Sequence, residues 1–75
     1  MEIEQIREQI DAVDGQMLQL FLERMRLGEE VAAYKKAHNL PVLNKARERE
    51  ILARVQAEAG EMEPYAYQLF TTLIA

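Results

Sequence analysis

The sequence predicts an all-α fold with three helices per chain, one long and two shorter, assembled as an intertwined antiparallel helical homodimer. Three observations predict it. Apolar residues recur at three- and four-residue steps along almost the whole chain, the spacing that gathers side chains on one helical face. Pro41, Gly60 and Pro64 stand where one periodic run gives way to the next. The first run is also too long for a chain of this size to cover by itself. No repeat, low-complexity tract or βαβ pattern competes with this reading.

Helix 1 is expected over about 3–37. Ile3, Ile6, Ile10, Val13, Met17, Leu20, Arg24, Leu27, Val31 and Tyr34 share one face of it. Arg24 takes a core slot within this apolar stripe, where a charge needs a partner or a ligand. Gly15 and Gly28 lie in the interior, each costing up to about 1 kcal/mol there. Gly28 is one turn from Arg24; close helix packing is preferred over ligand space as its reason. His38-Asn39-Leu40-Pro41 ends the helix, because proline cannot continue it and the residue before proline is pushed toward extended backbone. His38, the only histidine, has no companion ligands and reads as a surface residue.

The length of helix 1 leads to the dimer. At 1.5 Å per residue it forms a rod of about 50 Å, whereas a compact chain of 75 residues has a radius of gyration of only about 11 Å. The rod overhangs its own domain, and a second chain is the simplest cover. One domain spanning 1–75 is expected, at a size where oligomerisation is a common remedy for a small core.

Helix 2 is expected over about 45–59, with Asn44 as N-cap, Gly60 as stop, and Ile51, Leu52, Val55 and Ala59 facing inward. Arg47 is four residues before Ile51 and Glu48 four before Leu52, so both fall on or beside the inward face of the first turn. Helix 3 is expected over about 64–75. Pro64 suits its first position, and Ala66, Leu69, Phe70, Leu73 and Ile74 form its stripe. The pattern stops at Ala75 without a cap, so helix 3 is read as cut short.

Composition narrows the function. The net charge of −4 leaves no surplus basic face for nucleic acid. The chain has no cysteine, hence no disulfide or thiolate metal site. No run is long and apolar enough for a membrane span, and the charged N-terminus does not resemble a signal peptide. A cytoplasmic protein is expected.

The candidate site is built from cations. Lys35 is close to three full turns beyond Arg24, on nearly the same side and about 16 Å away along the axis. Arg7 is about 25 Å from Arg24 and rotated by about 100°, so it cannot join them within one helix. In an antiparallel pair crossing near Met17 to Leu20, Arg7 of one chain comes beside the Arg24–Lys35 half of the other. Arg47 and Glu48 could fold over that site from helix 2. Several cations and one carboxylate would bind a small dianion carrying a hydroxyl. No nucleophile with its base, phosphate-cradling loop or metal cluster is present, so catalysis there would rest on positioning and charge stabilisation. Taken singly, Arg7, Lys35, Arg47 and Glu48 also fit structural roles, as snorkelling cations and interhelical ion pairs. The joint pattern favours a site.

At this point a family resemblance enters. Ile6-Arg7-Glu8-Gln9-Ile10-Asp11-Ala12-Val13-Asp14 resembles the opening of helix 1 in the all-helical chorismate mutases. Leu22-Glu23-Arg24, Tyr34-Lys35, and Pro41-Val42 followed by Arg47-Glu48 are similar to further segments of that family, in order and at its spacing. The resemblance implies an interlocked homodimer with two sites that rearranges chorismate to prephenate, in phenylalanine and tyrosine biosynthesis, without a cofactor. It implies that Arg24 and the other chain's Arg7 clamp the two carboxylates, that Lys35 donates to the ether oxygen, and that Glu48 accepts from the ring hydroxyl. Arg47 supports the carboxylate end, and Asn44 replaces an Asp common in the family. A second ether-oxygen donor, commonly Gln, lies beyond Ala75 in the family; its loss would cost about 10²–10³ in rate. Activity is therefore expected to be impaired, and fusion to another aromatic-pathway enzyme is possible. Two alternatives remain on the same fold: a weak or non-catalytic regulatory helical dimer, and an isochorismate pyruvate lyase.

Overall fold

The computed structural model describes residues 1–74; Ala75, the last residue expected in helix 3, lies outside the described residues. All regular structure in the described residues is helical. Helix α1 spans Ile3–Ala37 and α2 spans Lys45–Ala59. A single 3₁₀ turn over Gly60–Met62 then leads into α3, Glu63–Ile74. The first two helices have the expected bounds, and α3 starts one residue earlier than expected. Because α2, the turn and α3 follow without a loop, regular structure falls into two runs, 3–37 and 45–74, the second of them reversed at Gly60. The expected second and third helices are thus a directly joined pair. No helix is long and apolar enough to cross a membrane among the described residues.

The chain divides into two compact units, Met1–Leu40 and Pro41–Ala75. The first is α1 with its caps. At its start the Glu2 amide donates to Gln5 Oε1 at 2.9 Å, satisfying a backbone group the helix leaves over. Glu4 lies in the first turn and Lys35 and Lys36 in the last, each complementing the helix dipole. The apolar stripe is exposed throughout, from 38% at Ile6 to 64% at Leu20. Leu18, Phe21, Leu22 and Met25, also exposed, widen it in the middle of the helix. A Cβ added at Gly15 or Gly28 would meet nothing within 4 Å, so the close packing preferred for Gly28 is not found among the described residues.

The end of α1 is built more tightly than proline alone requires. Asn39 adopts the left-handed conformation, with φ of 54°. The Leu40 amide donates to the Lys35 carbonyl at 2.8 Å and the Asn39 amide to the Lys36 carbonyl at 3.4 Å. This pair of reversed bonds is a Schellman closure, with asparagine in the place usually given to glycine. His38 is exposed there, as expected, and its ring stacks on Tyr34 with centroids 3.9 Å apart.

In the second unit Asn44 caps α2 as expected: its Oδ1 accepts from the Arg47 amide at 3.0 Å. Gly60 ends the helix at φ of 59°, a conformation open to it for lack of a Cβ. Helices α2 and α3 pack against each other. Val55 is buried between half-buried Ile51, Leu52 and Ala59 from α2 and half-buried Ala66, Phe70, Leu73 and Ile74 from α3. Leu69, expected in the α3 stripe, is exposed. Gln56 Nε2 donates to Glu63 Oε1 at 3.2 Å, tying α2 to the first turn of α3.

The left-handed Asn39 gives a direct test. Asn39→Val forces a β-branched residue into that conformation and should cost about 1–2 kcal/mol in urea unfolding. Asn39→Gly should leave the midpoint unchanged or raise it.

Candidate active site

Burial sorts the charged residues. Among the described residues, Arg24, Lys35, Glu48 and Glu63 are half-buried and every other charged side chain is exposed. Glu63 accepts from Gln56. Arg24, Lys35 and Glu48 belong to the candidate site expected from the sequence, whose other members Arg7, Asn44 and Arg47 are exposed.

Arg24 and Lys35 are also the only half-buried residues of 1–40. Each belongs to the same side of α1, and the helix between them is unbroken, so their spacing of about 16 Å is set by helical rise. The Schellman closure takes hold of the backbone of Lys35 itself, through the Leu40 amide. Arg7 sits near the other end of α1, exposed, with Nη1 3.2 Å from Glu4 Oε1. An exposed pair of this kind is worth only a few tenths of a kcal/mol. Arg7 can therefore turn to another partner at little cost.

In the second unit the first turn of α2 separates its two charges. Arg47 is exposed and its guanidinium pairs with Glu50, one turn on. Glu48 turns inward and lines a groove between α2 and α3 with Leu52, Thr71 and Ile74. Helical spacing explains the grouping: Glu48 and Leu52 are four apart on α2, and Thr71 and Ile74 three apart on α3. The Glu48 carboxylate makes no hydrogen bond or ion pair among the described residues. It is an acceptor held against two aliphatic walls. Asn44, one turn before Glu48, has its side-chain oxygen engaged in the cap, which sets the start of α2 and with it the phase of the helix.

A family model described as chorismate mutase type II matches residues 6–75. The chain belongs to that family. Within it, the chain is 30% identical over 97% of its length to a protein of Streptomyces venezuelae named 4-amino-4-deoxychorismate mutase, of which it covers 74%. It is 35% identical over 72% of its length to the bifunctional chorismate mutase/prephenate dehydratase of Aquifex aeolicus, of which it covers 15%. A T-protein of Enterobacter agglomerans is 38% identical over 84% of the chain, which spans 17% of that protein. No solved structure matches. The chorismate mutase match takes in every one of the site positions Arg7, Arg24, Lys35, Asn44, Arg47 and Glu48.

Sequence reasoning passed over the walls around Glu48. Leu52 and Ile74 were recognised as inward-facing, but Thr71 was not, because it interrupts an apolar stripe and reads as a polar edge. Its distance of three from Ile74 was the available signal.

The cap at Asn44 separates a structural from a chemical role. Asn44→Ala should lower stability to urea by about 0.5–2 kcal/mol, and Asn44→Asp should keep it, since either side chain can accept from the Arg47 amide.

Proposed function

We propose that this protein is a chorismate mutase acting as a cytoplasmic homodimer on chorismate, a small dicarboxylate. The observation that carries the reading is the half-burial of Arg24, Lys35 and Glu48, three of the four half-buried charged residues among those described, in a chain of the chorismate mutase type II family. The exposed stripe of α1 supports the dimer, since an apolar surface of that length needs cover. In this reading residues 1–75 act as one catalytic domain. The relative named as bifunctional supports fusion to another enzyme in a longer parent chain.

The reaction is a unimolecular Claisen rearrangement. The bond from the ether oxygen to the ring breaks while a carbon–carbon bond forms between the enolpyruvyl arm and the ring. No proton or electron pair leaves the molecule, so the protein needs no base and no nucleophile. Its task is to hold the flexible arm over the ring in a chair-like geometry and to stabilise charge as it develops. Arg24 and Arg7 of the second copy would clamp the carboxylates, where the planar guanidinium allows paired hydrogen bonds. The Lys35 ammonium would donate to the ether oxygen as its negative charge grows. Glu48 would accept from the ring hydroxyl, and Arg47 would release Glu50 to support a carboxylate. Asn44 would act through the phase of α2 that aims Glu48.

A second substrate is favoured by the relative matched over 97% of the chain, whose name specifies an amino group in place of the ring hydroxyl. The Glu48 carboxylate can accept from either substituent.

Loss of chorismate absorbance, with the product identified, tests the assignment. Lys35→Ala should lower kcat by about 10²–10³ while the helical circular dichroism persists. Unchanged turnover in that variant would remove Lys35 from the mechanism. Pyruvate in place of prephenate would make the protein a lyase. A monomer in sedimentation would leave Arg7 no route to Arg24 and overturn the two-chain site.

A further inference from the structure

We propose that Thr71 completes, with Glu48, a subsite for the ring substituent of the substrate, and that this pair accepts a protonated amino group in preference to a hydroxyl. The proposal rests on the mutase reading above and adds the residue that sets its choice of substrate.

The argument begins with an unbalanced groove. Its lining consists of Glu48, Leu52, Thr71 and Ile74. Two of these are aliphatic, and the two polar members bring no positive charge. Glu48 is half-buried, and its carboxylate has no hydrogen-bond or ion-pair partner among the described residues. A carboxylate against apolar walls gains most from a partner that neutralises it, because charge-assisted hydrogen bonds are about twice as strong as neutral ones.

Thr71 differs from its neighbour in a way that matters here. The Thr72 hydroxyl donates back to the Gln68 carbonyl at 3.0 Å, the usual local solution for threonine in a helix. Thr71, an exposed residue at the rim of the groove, makes no such bond among the described residues, so its hydroxyl is not committed to the helix backbone. The groove therefore offers two carboxylate oxygens and one hydroxyl oxygen. A primary ammonium carries three N–H donors, which match that set in number; a hydroxyl carries one and leaves acceptors unused. The ammonium also neutralises Glu48, which a hydroxyl does not. Charge and donor count point to the same class of ligand, a cyclohexadiene dicarboxylate bearing a primary amine on the ring.

The test compares kcat/KM for chorismate and for 4-amino-4-deoxychorismate across the intact protein, Thr71→Val, Thr71→Ala and Thr71→Ser. The intact protein should turn over both and favour the amino substrate. Thr71→Val and Thr71→Ala should each lower the amino-to-hydroxyl ratio by about tenfold, the effect of one hydrogen bond to a charged group. Thr71→Ser keeps the hydroxyl and should keep the ratio. The alanine variant reads the same quantity if the valine variant fails to fold. Chorismate turnover with no activity on the amino compound, or a ratio unmoved by losing the hydroxyl, overturns the proposal and leaves the mutase reading standing. Turnover of neither substrate overturns the mutase reading and the proposal with it.

Discussion

An amphipathic helix of 35 residues whose apolar face has no cover in its own unit is the constraint that governs this protein. Its stripe runs from Ile3 to Tyr34 and stays exposed along its whole length. At about 25 cal/mol per Å² of apolar area, burying such a seam would be a favourable term for the chain. Any assembly that buries the seam must also decide what happens at Arg24, which occupies one of its slots. A leucine there would simply lengthen the interface. An arginine leaves a place where the seam must open, and a site for a dianion is one way for the molecule to use that opening.

The second unit solves a different problem. Its helices are short, and among the described residues Val55 alone is buried outright. Helices α2 and α3 are held in place by local devices as much as by a core: the Asn44 cap, the left-handed Gly60, the direct 3₁₀ connection and the Gln56–Glu63 bond. Each of these fixes a helix end, and helix ends fix rotational phase. Phase decides that Glu48 faces the groove while Arg47, its immediate neighbour, faces solvent and Glu50. The chemistry assigned to α2 thus depends on capping more than on burial.

Much of this was legible in the sequence because the signals were periodic or were chain-breaking residues. The stripe of α1, the Asn44 cap, the Gly60 stop and the inward set Ile51, Leu52, Val55 and Ala59 all follow from spacing and from residue type. Arg24 stood out for the same reason, as an exception within a regular pattern. What was not legible depended on conformations that several residues adopt together. The left-handed Asn39 was masked by Pro41, which already explained why the helix ends. Thr71 was masked by the apolar residues of its stripe, and its place beside Glu48 appears only once α3 is laid against α2. Arg47 looked equivalent to Glu48 by spacing, yet its long side chain found Glu50 within its own helix.

The closure at the end of α1 has a consequence for motion. Helix termini normally fray, and a residue in the last turn would sample frayed states within nanoseconds. Lys35 escapes this because the backbone reverses through Asn39 and returns a hydrogen bond from Leu40 to the Lys35 carbonyl. Its Cα is clamped from both sides, by the preceding turns and by the reversal. The side chain keeps its four rotatable bonds, but they start from a fixed origin. The side chain therefore starts from a backbone held at both ends rather than from an unravelling one, and amide hydrogen exchange at Leu40 would report how long that origin stays fixed.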